Sequence, residues 1–105
     1  MRLLLDQNVP VGLGLLLPSH EVQTAFRMGW AELSNGDLIA AAEAAGFEIL
    51  VSCDQNLGFQ QHLTGRRIGI LVLGTNRWAI IRAHGLEIEN AVSAVKPGSI
   101  VHLAV

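Results

Sequence analysis

Residues 68–73 read Ile-Gly-Ile-Leu-Val-Leu, six consecutive positions with no charge and no polar side chain on either face. Side chains of a strand point alternately to the two sides of its sheet, so a strand apolar at every position must be covered on both. Such a run predicts a central strand of a parallel sheet with helices against its two faces. The rest of the chain supplies those partners. Arg2 to Leu5 is a short apolar strand that stops at the polar turn Asp6-Gln7-Asn8-Val9-Pro10, with Pro10 suited to a first helical turn. Val11 to Leu17 gives a short apolar helix, weakened by Gly12 and Gly14 and ended by Pro18. Glu21 to Phe26 alternates as a second strand, and Met28-Gly29-Trp30 forms a loop.

Ser34 or Asn35 caps the best helix in the chain, with Asp37 in its first turn and strong helix formers from Leu38 to Ala45. Gly46 closes it as a left-handed terminus. Phe47 to Val51 reads as a third strand ending at Ser52-Cys53-Asp54, and Gln55 to Leu63 as a short helix. After the fourth strand, Ile68 to Leu73, come helices at Asn76 to Ala83 and Ile88 to Val95, then a last strand from Ser99 to Val105. Strand and helix alternate throughout. The expectation is a single α/β domain over residues 1–105, three-layered, with a mostly parallel sheet of about five strands and helices on both faces.

Half of the 105 residues are hydrophobic and 15% are charged, which excludes a disordered tail and a charge-driven coiled coil. So little polar surface predicts that some apolar area meets another subunit, making a homodimer or a partner-bound chain the expectation. The single cysteine, Cys53, excludes an internal disulfide framework and a multi-cysteine zinc site. The apolar start is too short for a signal peptide, and no run reaches the roughly 18 residues of a membrane span. A cytoplasmic, soluble protein is expected.

Charge is segregated. Residues 1–54 set Arg2 and Arg27 against seven acids, net −5, while residues 55–86 hold Arg66, Arg67, Arg77 and Arg82 and no acid. Two solvated faces would explain this, and so would a metal site beside a phosphate-binding surface. In open α/β sheets ligands bind beyond the carboxyl ends of the strands. Asp6 follows the first strand, Asp54 follows the third, and Asp37 opens the helix between them. Three carboxylates drawn together resist ionisation unless a cation neutralises them, and a hard divalent ion with oxygen ligands does so. The four arginines would then hold a phosphate backbone.

Each feature also has an ordinary structural reading. Asp6 could cap the helix at Pro10, Asp37 favours its own helix dipole, and Asn8 and Asn56 are common turn residues. Trp30 and Trp78 suit core packing, Cys53 an inert buried thiol, and the four histidines surface or capping positions.

Leu3-Leu4-Leu5-Asp6-Gln7-Asn8-Val9-Pro10, then Asn35-Gly36-Asp37-Leu38, then Leu50-Val51-Ser52-Cys53-Asp54-Gln55-Asn56-Leu57 resemble the PIN-like domain family DUF5615. That group is similar to the PIN-domain ribonuclease toxins of bacterial toxin–antitoxin pairs. The resemblance runs from the first strand to Thr75-Asn76-Arg77-Trp78. It implies a Mg²⁺- or Mn²⁺-dependent endoribonuclease in which Asp6, Asp37 and Asp54 carry the ion, Asn8 and Asn56 assist, RNA is the substrate and an antitoxin protein the partner. The chain departs from the family where an acid usually follows Asp6, here Gln7, and where another lies two after Asp54, here Asn56. Both changes keep an oxygen ligand and remove a charge. The alternative is therefore a degenerate PIN-like module that binds RNA or protein without cutting. A receiver-like phosphoacceptor domain would share Asp6, Asp54, Thr75 and Lys96-Pro97, but Lys96 here precedes the last strand instead of ending it.

Overall fold

The computed structural model describes residues 1–57 and 62–105. Its strands are β1 (Arg2–Leu5), β2 (Glu21–Thr24), β3 (Ile49–Ser52), β4 (Gly69–Leu73) and β5 (Ile100–Leu103). They form one sheet in the order β2-β1-β3-β4-β5, and every neighbouring pair is parallel. A 3₁₀ turn (Val11–Leu16) links β1 to β2, α1 (Asn35–Ala44) precedes β3, and α2 (Trp78–Ala83) and α3 (Gly85–Ala94) join β4 to β5. The α/β class and the five strands match the sequence expectation, and β4 is an interior strand between β3 and β5, the middle of the sheet being β3. The sheet is wholly parallel, where a mostly parallel one was expected. The helix expected at Gln55 to Leu63 runs across residues outside those described.

The alternation of side chains divides the core in two. Leu3, Leu5, Ile49, Val51, Leu71 and Leu73 pack with Leu13 and Leu17, with Ile81 of α2, and with Ile88 and Val92 of α3. Leu4, Leu50, Ile70 and Val72 turn the other way, onto Leu38, Ile39 and Ala42 of α1. Leu4, Leu50, Ile70 and Ile100 lie side by side across four strands. Burying each such side chain fully contributes about 1.5–3 kcal/mol. The strands are anchored from both faces, so the loops that leave their carboxyl ends start from fixed points.

Element boundaries differ from the expectation for identifiable reasons. Ser34 caps α1, its Oγ accepting the Asp37 N–H at 3.3 Å, and Gly46 follows at φ +87°. Gly46 N–H then donates to the Glu43 carbonyl and Phe47 N–H to the Ala42 carbonyl, the double closure of a Schellman motif. Phe47 is spent on ending the helix, so β3 begins only at Ile49. Its ring packs edge-on against Trp30, centroids 6.1 Å apart, and under the Arg2 guanidinium at 4.4 Å. Arg2 also donates to the Ala45 carbonyl at the helix end and pairs with Glu21.

The Val11 segment is a 3₁₀ turn because Pro10, Gly12 and Gly14 support an α-helix poorly. Gly12 is required for another reason: a Cβ there would stand 2.8 Å from the Trp78 ring. At His84 the backbone N–H closes α2 onto Ile81 while the carbonyl receives Ile88 N–H, so α3 starts earlier than expected. Among the described residues no helix is long and apolar enough to cross a membrane.

Candidate functional site

In the order β2-β1-β3-β4-β5 the chain builds outward in one direction from β1 to β2, then returns past β1 to build the other way through β3. The crevice outside the carboxyl ends of β1 and β3 is the switch point where open α/β sheets bind ligands. Asp6 leaves β1 there, and Ser52, Cys53 and Asp54 leave β3. Asp6 N–H still donates to the Val51 carbonyl at 2.9 Å, which fixes its backbone to the neighbouring strand.

Ser52 ties the Asp6 carboxylate to the Asp54 backbone. Its side chain is fully buried and its hydroxyl donates to Asp6 Oδ2 at 2.9 Å. The same oxygen accepts the Asp54 N–H at 3.1 Å and the Asn8 Nδ2 at 3.4 Å. One donor and two lone pairs exhaust what a serine hydroxyl can do. Asn8 completes the clasp, its Oδ1 accepting the Cys53 N–H at 3.0 Å. The loop after β1 is thus tied to the loop after β3 by side chains from both.

Each carboxylate keeps acceptor capacity. Asp6, only 9% exposed, receives the Gln7 N–H on Oδ1 at 2.8 Å. Asp54, half-buried, receives the Asn56 N–H on Oδ1 at 2.9 Å and the Asn35 amide on Oδ2 at 3.1 Å. An ionised carboxylate offers about four lone-pair sites, so both acids have room for a further donor or a cation. No buried side-chain nitrogen or oxygen among the described residues lacks a partner.

Cys53 directly precedes Asp54 and lies close enough to Asp6 to feel its charge. Burial, and then the Asp6 charge, push its pKa from 9.0 up to about 11. It is a thiol at neutral pH and donates to the Thr75 carbonyl at 3.3 Å. Gln55 reinforces that side, donating to the Cys53 and Leu73 carbonyls at 3.0 and 2.6 Å.

The structure brings together Asp6, Asp54 and Asn8, with the Asn56 backbone on Asp54. It does not bring Asp37 to them. The Asp37 side chain is exposed and makes no hydrogen bond or ion pair among the described residues. It stands two positions beyond Asn35, about 200° around the helix. A helix that presents Asn35 to Asp54 turns Asp37 elsewhere. Among the described residues no group of three or more His, Cys, Asp or Glu side chains is arranged to hold a metal ion.

The four arginines are divided. Arg66 and Arg67 precede β4 and stand at the amino edge of the sheet, opposite the acids. There Glu43 of α1 pairs with Arg66 at 3.2 Å and accepts the Arg67 and Ile68 N–H groups. These contacts, the Arg67 backbone bond foremost, hold the Glu43 carboxyl below its ordinary pKa. Arg77 follows β4 and caps α2 at the carboxyl edge, and Arg82 lies in the last turn of that helix. Lys96 turns into β5 through Ser99, at the amino edge and away from Asp6 and Asp54.

His20, expected at a surface or cap, is 7% exposed and bonds Glu89 of α3 at 2.9 Å. Sequence reasoning missed Ser52 and the contact of Asn35 with Asp54. The signal for Ser52 was a lone polar residue closing an apolar strand. Comparison with protein-family models, with curated proteins and with solved structures finds no match to this chain.

Proposed function

We propose that the carboxyl edge of β1 and β3 holds a divalent cation through Asp6 and Asp54, and that the chain is a metal-dependent nuclease cutting RNA. The observation that carries this is the Asp6–Ser52–Asp54 clasp: one buried hydroxyl ties the Asp6 carboxylate to the backbone N–H of Asp54, fixing two acids from adjacent strand ends at the switch point. The groups that hold the two acids are carboxylate, hydroxyl and amide, so the set suits a hard ion such as Mg²⁺ or Mn²⁺. Such ions bind through one or two carboxylates and keep several waters, which fits a pair of acids without a third. When bound, the ion would supply charge stabilisation at phosphoryl oxygens and lower the pKa of water.

The protein's own part is positioning. Ser52 and the Gln7 N–H hold the Asp6 carboxylate, and Asn35 and the Asn56 N–H hold Asp54, so neither acid must reorganise when substrate arrives. Arg77 stands at the same edge to meet a phosphate. Following the family resemblance, the proposal includes a toxin role with an antitoxin protein as partner.

Calorimetric titration with Mg²⁺ and Mn²⁺, paired with a gel assay on single-stranded RNA, tests the proposal. Wild type binds the ion and cuts, while Asp54→Ala, folded by circular dichroism, does neither. A wild-type protein that is folded yet takes up no ion refutes it. The second reading, a PIN-like module that binds without cutting, would then stand. It is favoured by the amides of Gln7, Asn8, Asn35 and Asn56 around only two acids.

A further inference from the structure

Sheet order also orders the charged side chains along the carboxyl edge. Arg27 follows β2, Asp6 follows β1, Asp54 follows β3 and Arg77 follows β4. The series is cation, carboxylate, carboxylate, cation, over three strand spacings of about 4.8 Å each. Among the described residues the ion pairs engage Arg2, His20 and Arg66, and none engages Arg27 or Arg77.

At the Arg27 end lies a groove of about 600 Å³ between the 3₁₀ turn and the end of β2. Val11, Val22, Gln23, Thr24, Phe26 and Arg27 are among its lining residues. Phe26 is 77% exposed at its rim. The lining has apolar walls, an amide, a hydroxyl and an aromatic face. Its one formally charged member is the cation Arg27, and its other basic side chain, His20, is already held by Glu89. A purely apolar occupant would leave Arg27 and Gln23 unanswered. An unstacked nucleobase with its phosphate answers all of them: a flat ring for Phe26, polar edges for Gln23 and an anion for Arg27.

We propose that this groove is a nucleotide subsite, in which Phe26 stacks on one base of a single-stranded RNA. Arg27 and Arg77 hold the phosphates on either side of the Asp6–Asp54 pair, so the strand runs across the sheet edge from β2 to β4. The choice of RNA as ligand rests on the proposed nuclease function; the groove and its cation do not.

Fluorescence anisotropy with a labelled uridylate hexamer in EDTA reads binding without any metal chemistry. Phe26→Ala weakens binding about tenfold, the worth of one stacked base. Arg27→Ala and Arg77→Ala each reduce the slope of log affinity against log salt by about 0.7. Arg67→Ala, at the opposite edge, changes neither. An unchanged affinity in Phe26→Ala, or an equal loss in Arg67→Ala, overturns the subsite. So does a Phe26→Ala protein that falls from dimer to monomer by light scattering while keeping its RNA affinity, since a second copy then fills the groove. The two proposals fail separately. Hexamer binding that depends on Phe26 in a protein that takes up no ion upholds the subsite and refutes the nuclease. Mn²⁺-dependent cleavage with an unchanged KM in Phe26→Ala does the reverse.

Discussion

Ser52→Ala removes one oxygen and, with it, three hydrogen bonds. The bond donated to Asp6 Oδ2 at 2.9 Å is charge-assisted and buried, and is worth about 1.5–3 kcal/mol. The Asp54 N–H loses its acceptor at a half-buried position, a further 0.5–1.5 kcal/mol or about that. The Asn8 contact at 3.4 Å is long and adds little. The expected cost is therefore about 3 kcal/mol, against a total stability of about 5–15 kcal/mol for a domain of this size. With a urea m-value of about 1.5 kcal/mol/M, the unfolding midpoint falls by about 2 M while the protein remains folded in water. Asp6→Asn takes the charge out of the first bond, so in that background Ser52→Ala costs about 1–2 kcal/mol less. A midpoint within about 0.3 M of wild type, or strict additivity with Asp6→Asn, would falsify the picture of Ser52 as the joint between the acids.

Three more outcomes follow from contacts elsewhere. The Cys53 pKa is raised in the fold, so its contribution to stability is full below pH 9 and is lost as pH rises toward 11. Thiolate absorbance should titrate near 11, and a midpoint near the ordinary 9.0 would contradict the burial of the thiol. The Glu43 pKa is lowered, so its contribution is full above 4.5 and is lost as pH falls through the lower folded value. The melting-temperature gap between wild type and Glu43→Gln should then narrow below pH 4.5; a gap that widens there reverses the sign. Gly69→Ala would set a Cβ 2.5 Å from Val95 Cγ1 and 2.7 Å from the Lys96 carbonyl oxygen, at a cost of about 3 kcal/mol. Gly14→Ala meets Val22 at an ordinary 3.5 Å and should differ little from wild type in the same denaturation assay.

Much of the fold was legible because strands buried on both faces must be apolar throughout, and Ile70 to Leu73 and Ile49 to Val51 are. Ser34 and Gly46 announced the ends of α1 through cap chemistry that acts over only a few residues. Phe47 was misread as strand because an aromatic residue suits both a β-strand and the apolar contact of a Schellman motif. Asp6 and Asp54 were found by their place after strands, which in a parallel sheet fixes the edge. The same logic places Arg66 and Arg67, which precede a strand, at the opposite edge; counting charges by segment hid it. Asp37 was singled out for its charge, while Asn35 was read only as a candidate helix cap. Which helical residue faces the strand ends depends on the rotation of α1, which its packing against the sheet sets and a short motif does not disclose.

The Ser52–Asp6 hydrogen bond joins residues 46 apart in sequence. Neither half of the chain holds the arrangement alone, since Asp6 without β3 is a turn residue and Ser52 without β1 has no Asp6 carboxylate to bond. Closing that loop costs entropy and comes only when β3 docks beside β1. A chain still being synthesised through residue 51 is therefore silent at this edge, whatever chemistry the edge performs. Any activity proposed for this edge would appear only with the native state, so an assay of it would count folded molecules.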